Sequence, residues 1–309
     1  MLDSPQIRRD RLPVIDALRG AALVAMIVYH FSWDLAYHGF VRWDVTGDPV
    51  WRGFAIAIAG SFLLLSGVAL ALAARGGLDP SAFVLRLAKI AAAAALVSVA
   101  SWFMFPDSWI FFGILHMIAA GSVIGLAFLA LPPVVTFIAA ALALAVPSLL
   151  RGGVFDAAPL AFLGLSETAP ISNDFVPVFP WLAPVLVGIA LGRMIASGRI
   201  RLPATAMRGG LERALVTAGR WTLPIYLVHQ PVLFGLVAAA ASVLPANPEI
   251  ERDRFVAECR PIYGDAFCGC VAEALQGTDY WAVRGGDPEL SALVSTAGMA
   301  CRAGETPFD

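Results

Sequence analysis

The sequence predicts an all-α protein: a polytopic bundle of about seven transmembrane helices, N-terminus inside and C-terminus outside, followed by a small cysteine-containing tail. Three observations lead there. Of 309 residues, 59% are hydrophobic and 14% charged, against roughly 25% charged in an average soluble domain. The apolar residues are gathered into runs of about 20, the length of helix that crosses a hydrocarbon core of about 30 Å. The arginines and lysines fall in alternate connections. With a net charge of −2 and no basic stripe, nucleic acid is excluded as a partner; the lipid bilayer is the expected one.

Seven runs qualify in order: 14–33, 50–74, 82–105, 109–130, 133–150, 179–196 and 222–244. The first does not read as a cleaved signal peptide. Asp16 and Arg19 interrupt its first turns and His30 to Asp34 follows directly, where a signal peptide has an unbroken apolar core and a small-residue cleavage site. Gly53, Gly60, Ser61, Ser66 and Gly67 in the second run are packing positions that let helices approach closely. Pro180, Pro184, Pro224 and Pro231 bend or end the later helices. No matched pair of broken helices marks a secondary transporter.

Charge orients the bundle. Arg8, Arg9 and Arg11 precede the first run; Arg75, Arg86 and Lys89 flank the second connection; Arg193, Arg199, Arg201, Arg208, Arg213 and Arg220 crowd the sixth. With seven spans these share one side, the cytoplasm. The opposite loops carry Asp44, Asp48, Asp107, Asp156, Glu167 and Asp174.

The chain divides by composition into a membrane domain, 1–244, and a tail, 245–309. All four cysteines, Cys259, Cys268, Cys270 and Cys301, lie in the tail. An even set on the outer side points to one or two disulfides. The Cys268-Gly269-Cys270 pair is too close for the usual zinc spacing. At about 65 residues the tail suffices for a small helical appendage, not a catalytic domain with its own core.

Ionisable side chains inside spans mark function, since each costs about 2.5–3.5 kcal/mol at a helix centre. At 1.5 Å per residue, Arg19 lies about 7 Å into the first span and His30 about 24 Å, near the outer face. His116 lies about 10 Å below the outer face, and His229 about 10 Å above the inner one. His30, Asp34 and His38 are spaced i, i+4, i+8, so one helical face presents all three. Asp34, one turn from His30, can accept its N–H, fix its tautomer and make it a general base. The alternatives are a solvated helix end, or a His-x3-Asp-x3-His metal site. Arg19 is placed to meet an anionic cofactor's phosphates or to snorkel to headgroups.

The stretch IDALRGAALVAMIVYHFSWDL resembles the start of the bacterial heparan-alpha-glucosaminide N-acetyltransferase-like membrane proteins. FLLLSGVAL at 62–70, FFGILHMI at 111–118 and GRWTLPIYLVHQPVL at 219–233 resemble that family in the same order. The resemblance covers residues 12–244 and leaves out the tail. The ten residues between Arg19 and His30 are also the Arg…His spacing of the broader acyltransferase-3 membrane enzymes.

This resemblance implies a bacterial inner-membrane acyltransferase. It would move an acetyl group from cytoplasmic acetyl-CoA to an amine or hydroxyl of an extracytoplasmic glycan or glycolipid. His30 matches the motif histidine and Arg19 its arginine. His38 is the second candidate, since some members place an important histidine after the first span. The implied site has His30 with Asp34 as base, or a histidine as acetyl carrier. His116 stabilises the oxyanion, and Arg19 and His229 meet the cofactor. The rival reading is a permease, or a scaffold whose tail binds a partner.

Overall fold

The computed structural model describes residues 12–202, 209–282 and 288–303. Arg8, Arg9, Arg11 and Arg208, used above to orient the chain, lie outside the described residues. Among those described, the protein is all-helical. Six helices are long and apolar enough to cross a membrane: α1 Pro13–Tyr37, α2 Pro49–Ala73, α3 Pro80–Met104, α5 Pro133–Leu150, α6 Val178–Ala196 and α8 Thr222–Val243. The apolar run at 109–130 forms a shorter helix, α4 Ile114–Gly125, closed by the 3-10 turn Leu126–Phe128. An eleven-residue amphipathic helix, α7 Gly210–Arg220, precedes α8. The tail holds α9 Pro248–Tyr263, α10 Asp265–Ala274 and α11 Pro288–Ala303. This is a multi-pass membrane protein.

The chain forms two compact units, one of Met1–Met26 with Phe54–Leu227, the other of Ile27–Gly53 with Val228–Asp309. In the first, α6 packs on α4 and α5, and α4 on α3. Small residues make the closest approaches. A Cβ at Gly188 or Gly67 would overlap the carbonyl oxygen of Leu64 or Val185, so only glycine fits where α2 meets α6. Gly53 and Gly60, expected to pack, face open space. Val84, Leu85, Leu96, Val99, Trp102 and Phe103 of α3 are all exposed. A soluble monomer rarely leaves such an apolar stripe uncovered; here it fits contact with lipid.

The run at 109–130 shortens because its first residues bond elsewhere. Ser98 Oγ donates to the Ile110 carbonyl at 2.6 Å, and Ser101 Oγ accepts the Ile110 N–H at 2.9 Å. The loop before α6 adds three bonds. Asn173 N–H reaches Ser108 O at 2.8 Å, Val176 N–H reaches Phe112 O at 3.0 Å, and Asp174 Oδ2 accepts the Ile114 N–H at 2.9 Å. Backbone groups satisfied this way have no need of helix. Asp174 thereby caps α4. Desolvation holds its carboxyl above the usual carboxylate range, partly offset by that N–H.

In the second unit, α1 runs four residues past its expected end at 33, to Tyr37. It stops in a Schellman turn: Gly39 at φ 71°, Phe40 N–H to Leu35 O at 2.8 Å and Gly39 N–H to Ala36 O at 3.1 Å. Asp48 Oδ1 then accepts the Val50 and Trp51 N–H groups and starts α2. In the tail, Val271, Leu275, Trp281 and Ala297 form a small core under Phe255. Disulfides join Cys259 to Cys268 and Cys270 to Cys301. The Cys-x-Cys pair thus serves two separate crosslinks.

Candidate active site

The site is built from one face of α1 and one of α8, within the second unit. Helical spacing puts His30 and Asp34 on the same side of α1. Across from them α8 presents His229 and Gln230. Gln230 bridges the α1 pair: its Nε2 donates to Asp34 Oδ1 at 2.8 Å, and its Oε1 lies 2.8 Å from His30 Nδ1. Because the amide nitrogen faces a carboxylate, its oxygen must face the imidazole, so His30 Nδ1 carries the proton. That leaves His30 Nε2 with a lone pair.

The environment is apolar and crowded. The His30 and His229 rings lie 5.0 Å apart, edge to face, and Tyr29 meets His30 at 5.7 Å. Asp34 is completely buried, and His229 nearly so. Asp34 Oδ2 has no hydrogen-bond partner among the described residues. A buried carboxyl with an unsatisfied oxygen is costly, and such groups concentrate at functional sites.

Two expectations need correction. Asp34 does not accept from His30 directly; Gln230 stands between them. The i, i+4 rule brings two side chains to one face, but a residue from the facing helix fills the gap. His229 does not lie at a different depth from His30, since their rings touch. A count of 1.5 Å per residue from the helix ends holds only for helices that stand untilted, and the ring contact overrides it. α7 packs on the opening turns of α1: a Cβ at Gly219 would overlap Asp16 O, and one at Gly20 would overlap Leu215 O. His38 follows the end of α1 and packs on the Phe234 ring at 4.9 Å and the Tyr37 ring at 5.2 Å.

Arg19 and His116 belong to the first unit. Arg19 Nη1 lies 3.3 Å from Asp16 Oδ1, and Arg220 Nε lies 3.5 Å from Asp16 Oδ2. One carboxylate thus holds two guanidiniums. His116 Nδ1 accepts the Gly113 N–H at 3.2 Å, which places the proton on Nε2, 3.3 Å from Ser98 Oγ. His116 is therefore a cap on the start of α4. Among the described residues no three His, Cys, Asp or Glu side chains are grouped to hold a metal ion. Gln230 escaped the sequence reading, although an uncharged amide in an apolar helix is itself a signal, as it too must find partners in hydrocarbon.

Residues 11–231 match the family model of the heparan-alpha-glucosaminide N-acetyltransferase catalytic domain. The chain belongs to this family. As a family member it is a membrane-embedded transferase. The matched stretch contains Arg19, His30, Asp34, His38, His116, His229 and Gln230, and it ends before α9 to α11. Comparison with curated proteins finds no match, and neither does comparison with solved structures.

Proposed function

We propose that the protein transfers an acetyl group from cytoplasmic acetyl-CoA to an amine or hydroxyl of a sugar or glycolipid across a bacterial inner membrane. The observation that carries this reading is the Asp34–Gln230–His30 chain, which leaves His30 Nε2 as a proton acceptor. His30 Nε2 takes the acceptor's proton as its nitrogen or oxygen attacks the thioester carbonyl. The C–S bond then breaks, the imidazolium returns its proton to the thiolate, and an amide or ester leaves with free CoA. Gln230 steadies the imidazolium, with the Asp34 charge one link behind it. His229 flanks the base, and His116 holds α4 in place. The tail's two disulfides support an extracytoplasmic C-terminus, an orientation that requires α4 to count as a seventh crossing.

Arg19 and Arg220, gathered on Asp16, are the groups for the phosphates of the donor. Saturable acetyl-CoA binding to the purified protein is expected, and Arg19→Ala is expected to weaken it about tenfold, the loss of one charge-assisted contact. Isothermal titration checks this. No binding by the wild type would favour the permease or scaffold reading instead.

A further inference from the structure

We propose that the disulfide-bonded tail, which lies beyond the stretch shared with the family, is a positioning module for this site, and that Arg254 is its working residue. The inference rests on the acyltransferase reading and extends it to regulation of the same site by α9. The last turn of a helix leaves carbonyls without intrahelical partners. At the end of α1 the tail adds donors there: Arg254 Nη2 donates to Tyr37 O at 3.0 Å and, beside the Gly39 N–H, to Ala36 O at 3.3 Å. A guanidinium there is also favoured by the helix dipole.

Two ion pairs secure the same segment. Arg42 pairs with Glu249 at 2.9 Å and with Asp253 at 3.3 Å. The Glu251 carboxylate and the Arg254 guanidinium lie beside Gly39, whose positive φ favours glycine. Exposed ion pairs contribute little singly, but here four side chains of one helix converge on residues 36–42. The helix supplying them is crosslinked to α10 by Cys259–Cys268, and α10 to α11 by Cys270–Cys301.

The grip reaches the base through backbone. Asp34 O accepts the His38 N–H at 3.0 Å, so the turn held by Arg254 is the turn that carries Asp34. Asp34 in turn sets Gln230, and Gln230 sets the tautomer of His30. If that turn frays, the chain behind the base loosens while the donor's binding groups on the other unit are untouched.

The test uses full-length protein and two readouts. Arg254→Ala is expected to lower kcat for acetyl transfer about ten- to a hundredfold, the effect of a misplacement near 1 Å, with the KM for acetyl-CoA within about twofold of wild type. Hydrogen–deuterium exchange of residues 33–42 is expected to quicken in the same variant. Arg254→Lys keeps the charge without the planar fork and should recover part of kcat. Arg252→Ala, changed on the same helix, should match wild type. Unchanged kcat in Arg254→Ala, or an equal loss in Arg252→Ala, overturns the proposal. If Arg254→Ala does not fold, full wild-type kcat in Arg254→Lys overturns it equally. An inactive wild type contradicts the proposed function instead, and the exchange rates then still decide whether Arg254 holds the turn.

Discussion

His30→Ala is expected to lower acetyl transfer by about 10²- to 10⁴-fold, the usual worth of a positioned general base, while acetyl-CoA binding stays near the wild-type value. The expectation follows from the hydrogen bonds of the ring. Gln230 occupies Nδ1, so Nε2 is the atom left for chemistry. His229 is close, with ring centroids 5.0 Å away, but it stands edge to face with His30 rather than behind it on the Gln230 chain. A single-turnover assay with labelled acetyl-CoA and an amino-sugar acceptor checks the effect. Wild-type rates in the variant would move the base to His38 or His229.

Gln230→Leu should have the second largest effect, on rate and stability together. Leucine approximates the volume but strips the bridge at both ends. Asp34 would then have neither oxygen bonded among the described residues, and His30 would lose the partner of its Nδ1–H. Leaving a buried polar group unsatisfied costs about 1–3 kcal/mol, which would appear as a lower unfolding midpoint in detergent. The rate should fall about tenfold or more beyond that, because the tautomer that exposes Nε2 is no longer imposed. If Asp34 instead paired with His30 directly, Gln230→Leu would leave kcat nearly unchanged. Kinetics of this one variant therefore separate a relayed pair from a contact pair.

Much of this was readable in the sequence where a single physical signal dominates. Continuous apolar runs located α1, α2, α3, α5, α6 and α8 to within a few residues, because hydrocarbon leaves a helix few other ways to satisfy its backbone. His30 and Asp34 stood out because ionisable groups are costly in such a run. What was not readable depends on partners distant in the chain. The shortening of α4 comes from a loop sixty residues later, through Asp174 to Ile114. The level of His229 shows only in its contact with the His30 ring, which lies on a distant helix. Gln230 carries no charge, so the i, i+4 rule paired His30 with Asp34 without it. Arg254 lies 217 residues from the Tyr37 carbonyl it caps, and no local pattern joins them.

The central claim is that this transferase moves an acetyl group from acetyl-CoA using His30. The most direct measurement is CoA thiol release by purified wild-type protein in detergent, with and without an amino-sugar acceptor, alongside mass analysis of the acceptor. The account predicts acceptor-dependent release, one acetylated sugar per CoA freed. Absence of CoA release together with absence of acetyl-CoA binding would contradict it.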